Sequence, residues 1–382
     1  MRVLHFFKTY RPESYGGIEQ FIFQLAHGSS RRGLEVEVLS LSSDLDDQSE
    51  RFDNHTIHRV RRDFEISSTG FSLRSFGKFR RLAQQADVLH LHFPWPFADL
   101  VHLLANVSKP VVLTYHSDIV RQRMLLKLYA PLMRRFLGSV DRIVATSPNY
   151  LKTSDVLSGF AGKTEVIPIG LDRDTYPPYD PSLQDKWPFL KGKRFFLFVG
   201  VLRYYKGLHI LLDALRGTDH TIVIVGAGPI EGELRQHASD VGLTDVHFLG
   251  AVSDDEKVAL LNFCHAAIFP SHLRAEAFGI SLLEAAMYSK PLISSEVGTG
   301  TSYVNVDGET GIVVPPSDPG ALRRAMDVLL DQPDLASKMG TAAGQRYERY
   351  FRADQMIDRY LDLYQRLLSE RSSTPGRAGT SR

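Results

Sequence analysis

The chain has 382 residues, 43% of them hydrophobic and 23% charged, an ordinary globular composition at a length that suits two domains. Its single cysteine, Cys264, lies in the apolar run ALLNFCHAAIF, which excludes a disulfide framework and fits a reducing compartment. The net charge of +1 is unevenly spread: residues 1–171 carry 22 Lys and Arg against 17 Asp and Glu, and the remainder carries 23 against 27.

A basic first half suits an anionic partner on that side. No zinc-finger spacing, recognition helix or aromatic RNA-binding motif accompanies it, so nucleic acid is not expected. No stretch reaches the length of a membrane span, and Met1 leads directly into strand-like sequence without a signal-peptide pattern. A soluble cytoplasmic chain is expected.

Strand-like runs alternate with helix-like ones throughout. Residues 3–7, 36–41, 88–91, 111–115, 143–145 and 165–167 read as buried strands of a parallel α/β sheet with helices on both faces. Residues 172–193, rich in Pro, Asp and Tyr, break this rhythm and read as a linker. A second set follows at residues 195–199, 222–225, 246–249, 266–269, 292–295 and 312–314. The pattern predicts an N-terminal domain over 1–171 and a C-terminal domain over 172–353, two doubly wound Rossmann-like units facing each other across a cleft. Ligands of such sheets bind outside the carboxyl ends of the strands. A last periodic helix covers about 354–368. Residues 372–382, small and polar, are expected to be disordered.

Several stretches can carry chemistry. After the first strand, Tyr15-Gly16-Gly17-Ile18-Glu19 opens a helix; it is either a tight turn or a loop that brings backbone close to an anion. His90 and His92 alternate at a strand end (VLHLHFPWP), beside Trp95. A metal reading of these two lacks an evident third ligand. His116 ends the strand of PVVLTYHSD, with Asp118 two residues on, where an imidazole can meet a sugar hydroxyl. Residues 121–137, RQRMLLKLYAPLMRRFL, mix basic and apolar side chains, as a solvated surface helix or an anionic-lipid contact would, and Pro131 interrupts a single continuous helix. In FVGVLRYYKG, Arg203 and Lys206 can neutralise a diphosphate; solvated surface charge is the alternative. Gly226-Ala227-Gly228-Pro229 shapes a turn, and Asp172-Arg173-Asp174 at the linker reads as structural.

Residues 270–296, PSHLRAEAFGISLLEAAMYSKPLISSE, organise the rest. Glu276 and Glu284 stand eight positions apart, and residues 280–288 read as a buried helix. Glu276 then lies at the helix N-terminus and Glu284 just over two turns on. The pair is either a cap with a core-edge carboxylate or a ligand site.

Glu-x7-Glu after a Pro-Ser strand end, followed by Ala-Phe-Gly and a second strand, resembles the signature of retaining GT-B glycosyltransferases of family GT4. Residues 294–305, SSEVGTGTSYVN, are similar to the subgroup that uses GDP-mannose or GDP-rhamnose for bacterial O-polysaccharides. The resemblance extends from Met1 to about Leu368. It implies an α/β GT-B fold whose last helix returns to the first domain. It also implies a hexosyltransferase moving mannose or D-rhamnose from a GDP-sugar to a lipid-linked saccharide, without a metal cofactor, at the cytoplasmic face of the inner membrane.

The resemblance gives the residues roles. Glu276, His116 and Lys206 form the catalytic set. Gly16, Gly17, Arg203, Lys206, Phe278, Gly279 and Glu284 bind the donor, with Phe278 and Gly279 offering backbone N–H groups to phosphate and Glu284 accepting from ribose hydroxyls. Arg203 is displaced, because the family's usual arginine follows the glycine directly and that place holds Val201. His90, His92, Trp95 as a stacking face, and Asp118 contact acceptor or sugar. Two rivals share the architecture: a nucleotide-sugar 2-epimerase, which needs no acceptor, and a non-catalytic sugar- or nucleotide-binding protein.

Overall fold

A computed structural model describes residues 1–44, 47–66, 69–119 and 123–373 (of 123–125, the backbone only). The chain divides into two compact units. The first comprises residues 1–146, 155–167 and 353–382; the second comprises residues 147–154 and 168–352. The division therefore falls at Ile167/Pro168, earlier than the expected 171, and a short segment of the N-terminal stretch joins the second unit.

The first unit contains β1 (Arg2–Phe6), α1 (Gly17–Arg31), β2 (Glu35–Ser42), β3 (Gln48–Phe52), β4 (His55–Arg61), β5 (Phe64–Ile66), β6 (Thr69–Phe71), α2 (Leu73–Gln85), β7 (Val88–Phe93), α3 (Pro96–Ala105), β8 (Val111–Tyr115), α4 (Arg123–Ser139) and β9 (Arg142–Ala145). After α5 (Pro148–Thr153), which belongs to the second unit, come α6 (Asp155–Ser158) and β10 (Thr164–Val166). Its sheet runs β10-β9-β8-β7-β1-β2-β4-β3, parallel except for β3. The expected six strands run side by side from the half-buried edge strand β10 to β2, and β4, a buried strand beyond them, was not among those expected. The charged β3 and the small β5–β6 hairpin are additions that the hydrophobic pattern does not mark.

Helix α4 corrects one expectation: it continues through Pro131. That proline lies on the exposed side, where water can take the place of the missing N–H. Residues 121 and 122 of the same basic stretch lie outside the described residues.

The second unit contains β11 (Phe195–Val199), α7 (Leu208–Ala214), β12 (Thr221–Val225), α8 (Glu231–Asp240), β13 (Val246–Gly250), α9 (Asp254–Phe263), β14 (Ala266–Phe269), α10 (Ile280–Met287), β15 (Leu292–Ser295), α11 (Thr301–Val304), β16 (Gly311–Val314), α12 (Pro319–Asp331) and α13 (Pro333–Tyr350). Its all-parallel sheet runs β13-β12-β11-β14-β15-β16, the doubly wound order in which the connections reverse between β11 and β14. Phe196, Phe198, Ile222, Ile224, Ile268 and Ile293 pack beneath α7 and α12 as its core. The expected linker is ordered as short 3-10 turns that bury Trp187 and Leu190, and Asp172 caps the first of them.

The last helix, α14 (Ala353–Ser373), belongs to the first unit and packs on α1. It includes Ser372 and Ser373 of the expected tail; residues 374–382 lie outside the described residues.

Candidate active site

In the second unit, the reversal between β11 and β14 opens a crevice at their carboxyl ends. Two loops fill this position, residues 200–207 after β11 and 270–279 after β14. They are tied together: His272 N–H donates to the Tyr205 carbonyl at 3.0 Å. Gly207 (φ 70°) is left-handed, and a β-carbon there would collide with the Pro270 carbonyl.

Lys206 closes a 3-10 turn, Tyr204–Lys206, and points across to the other loop. Its Nζ lies 2.6 Å from Oε2 of Glu276, and Ser271 Oγ donates to the same oxygen at 3.0 Å. The lysine also lies over the Phe269 ring, 4.6 Å from its centroid. The Lys206 and Glu276 side chains keep only 11% and 9% of their exposure. This is a short, charge-assisted bond in a shielded place, where a diphosphate can compete with the carboxylate for the ammonium.

Beside it, α10 begins at Gly279, which is left-handed (φ 87°) and provides no side-chain cap. The first amides of α10 lack partners within the helix and form its positive end. The Phe278 ring is buried against Phe351, so its main chain is the part left to meet a ligand. Arg203 is exposed at the start of the lysine turn.

Glu284 is 6% exposed and already held. Its Oε1 accepts from Tyr176 Oη at 2.9 Å and from Lys257 Nζ at 3.0 Å. Burial opposes the charge on Lys257, but Glu284 and Asp254 outweigh it and keep the ammonium above its usual range. The turn at Gly226 and Gly228 packs against backbone of Gly200 and Leu202, as a shaping element.

In the first unit, the connections reverse between β1 and β7. Gly16 caps α1, and the Glu19 carboxylate folds back over it so closely that a β-carbon would clash. Glu19 Oε1 also accepts from Thr9 (2.7 Å) and Ser14 (2.8 Å). The positive end of α1 beside Gly16 and Gly17 thus already faces a carboxylate.

The same reversal gathers four buried imidazoles, His5, His90, His92 and His116. This corrects the reading of His90 and His92 as acceptor contacts. Both point to the face covered by α14, where His90 bonds Tyr364 Oη (2.6 Å) and Thr114 Oγ1 (2.7 Å). His92 bonds His5 (3.1 Å) and His116 (3.2 Å). The third ligand that a metal reading lacked is His5, since nitrogens of His5, His90 and His92 lie within 4.8 Å of one another. His116 stands at the end of β8, 5% exposed, its backbone N–H donating to the Phe93 carbonyl. Burial holds it neutral, with a pKa of about 3. Asp118 accepts from Tyr115 Oη at 2.8 Å.

Trp95 is corrected too. It is 1% exposed, packed on Phe6 and Phe97, with Nε1 donating to the Gly70 carbonyl, and so presents no open ring face to a sugar.

Sequence reasoning missed His5, Ser271, Tyr176 and Lys257. For His5 a signal existed, because the strand RVLHF pairs in register with VLHLHF and sets His5 opposite His90.

Comparison with known proteins gives the family. Residues 15–175 match the family described as Glycosyltransferase Family 4, and residues 180–346 match Glycosyl transferases group 1. The D-rhamnosyltransferase WbpZ of Pseudomonas aeruginosa is 60% identical over 92% of this chain and 93% of its own length. This chain belongs to the GT4 glycosyltransferases. The O-antigen chain mannosyltransferase C of Escherichia coli is 47% identical to this GT4 enzyme, covering 97% of the chain and all of the relative. Among solved structures, a sucrose-phosphate synthase from Thermosynechococcus elongatus superposes with a TM-score of 0.80 at 20% identity, covering 97% and 99% of the two chains. Anabaena HepE in complex with UDP and glucose superposes at 0.77, also at 20% identity, over 95% and 99%. These likenesses give the GT4 enzyme the GT-B fold.

Proposed function

We propose that this glycosyltransferase is a retaining hexosyltransferase moving D-rhamnose or mannose from a GDP-sugar to a lipid-linked saccharide in O-antigen assembly. The observation that carries the reading is the Lys206–Glu276 pair beside the uncapped start of α10, at the strand-order reversal of the second unit. The names of the two close relatives, a D-rhamnosyltransferase and an O-antigen mannosyltransferase, supply the sugar and the pathway.

As the bond to the donor sugar breaks, negative charge grows on the departing diphosphate. Lys206 and the first amides of α10, through Phe278 and Gly279, take up that charge, so no metal is required. Glu276, freed from the ammonium, accepts from hydroxyls of the transferred sugar, and Glu284 shares its second oxygen with the ribose. His116 meets a sugar hydroxyl. The acceptor hydroxyl attacks on the side the diphosphate leaves, and the phosphate takes its proton. Gly16 and Gly17 let backbone approach the substrate closely, and the Glu19 carboxylate beside them favours hydroxyls over anions there.

Among the described residues no helix is long and apolar enough to cross a membrane. Leu73, Leu100, Leu104 and Leu128 are nevertheless exposed on the adjoining helices α2, α3 and α4, alongside exposed Arg74, Arg80, Arg81, Lys127, Arg134 and Arg135. This mixture suits peripheral contact with an anionic bilayer carrying the acceptor.

The test is incubation with radiolabelled GDP-rhamnose, GDP-mannose or UDP-glucose and a lipid-linked acceptor. Transfer from a guanosine donor is expected, and turnover with the uridine donor alone defeats the assignment.

A further inference from the structure

His5, His92 and His116 form a hydrogen-bonded chain along one face of the first unit's sheet. Nδ1 of His5 lies 3.1 Å from Nε2 of His92, and Nδ1 of His92 lies 3.2 Å from Nε2 of His116. Successive rings are near-parallel, at 12° and 27°, with centroids 5.4 Å apart. None is more than 5% exposed, and a charged imidazolium buried against another imidazole is costly. At neutral pH each ring therefore carries one hydrogen.

A neutral imidazole has one donor nitrogen and one acceptor nitrogen. That rule couples the three rings. If His5 donates from Nδ1, His92 must accept at Nε2, keep its hydrogen on Nδ1 and donate to His116, which then also holds its hydrogen on Nδ1. If the chain runs the other way, all three hold it on Nε2. Any mixed assignment sets two N–H groups or two lone pairs against each other in a buried place, which is costly.

We propose that this chain sets the tautomer of His116. His92 and His5 are positioning residues that decide whether the nitrogen of His116 outside the chain, Nδ1, donates to a sugar hydroxyl or accepts from it. The functional half of this proposal rests on the sugar contact proposed for His116; the tautomer coupling does not.

Long-range proton–nitrogen NMR of the full-length, 15N-labelled protein reads the tautomers directly, with His5→Phe and His92→Phe as comparison proteins. The expected result at pH 7 is one common tautomer for His5, His92 and His116. His5 does not adjoin His116 in the chain, yet His5→Phe releases His116 into a mixture of both forms and lowers kcat/KM about tenfold. Opposite tautomers within the unmodified trio, or a His116 signal unchanged in both variants, overturns the coupling. So does a purified protein holding stoichiometric zinc on His5 and His92, because metal bonds then replace the N–H···N contacts. If the tautomers follow the substitutions and transfer does not, the coupling stands and the sugar contact of His116 falls.

Discussion

Lys206 and Glu276 are joined at 2.6 Å in a shielded place, and under the proposed function that bond is the first thing a diphosphate displaces. Lys206→Ala is expected to reduce transfer roughly 10²–10³-fold, the range for removing one preorganised donor at a site of developing charge. The labelled-sugar assay measures it. A non-catalytic binding protein would instead show weaker nucleotide binding with no turnover to lose. Glu284 behaves differently, because it is committed to Tyr176 and Lys257 before any ligand arrives. Glu284→Ala leaves Lys257 with Asp254 as its carboxylate partner and is expected to cost about 1–3 kcal/mol of stability, read by urea denaturation. His116, held neutral down to about pH 3, is expected to contribute no step near pH 6.5 to the rate profile.

At the scale of elements, α14 is fastened by two buried hydroxyls: Tyr364 bonds His90, and Tyr360 bonds Thr114 at 2.8 Å. Tyr364→Phe leaves a His90 nitrogen unpaired and is expected to cost about 1–3 kcal/mol by the same measurement. Helices α3 and α4 are joined by a hydrogen bond from Tyr129 to Asp99. Burial raises the Asp99 pKa to about 8, while the tyrosine bond opposes the rise. A raised folded-state value means that stability is complete below the unfolded pKa near 4 and is lost as pH climbs to about 8. Asp99→Asn is therefore expected to raise Tm at pH 8 and to change it little at pH 4. Thermal melts at the two pH values decide it. The central strands were legible because parallel strands buried on both faces are continuous apolar runs. The charged β3, QSERF, was not, because an edge strand is written in polar residues. The alternation in VLHLHF placed His90 and His92 on one face. It could not show that a helix more than 250 residues later covers that face, and burial of Trp95 among aromatic partners was hidden for the same reason.

Across the whole molecule, residue type singled out the charged groups of the candidate site, while the partners of each charge came only from chain segments far apart in sequence. Glu276, Lys206 and Glu284 were legible from spacing and family pattern; Ser271, Tyr176 and Lys257, which hold them, had no pattern to mark them. The exposed leucines and basic residues of α2, α3 and α4 predict co-sedimentation with phosphatidylglycerol vesicles, much weaker binding to phosphatidylcholine, and release at high salt. The most direct test of the central claim is a crystal of the full chain soaked with GDP. A diphosphate bonded to Lys206 Nζ and to the main-chain amides around Phe278 and Gly279 is expected, with the Lys206–Glu276 contact opened. A diphosphate bound elsewhere, with that contact intact, would contradict it.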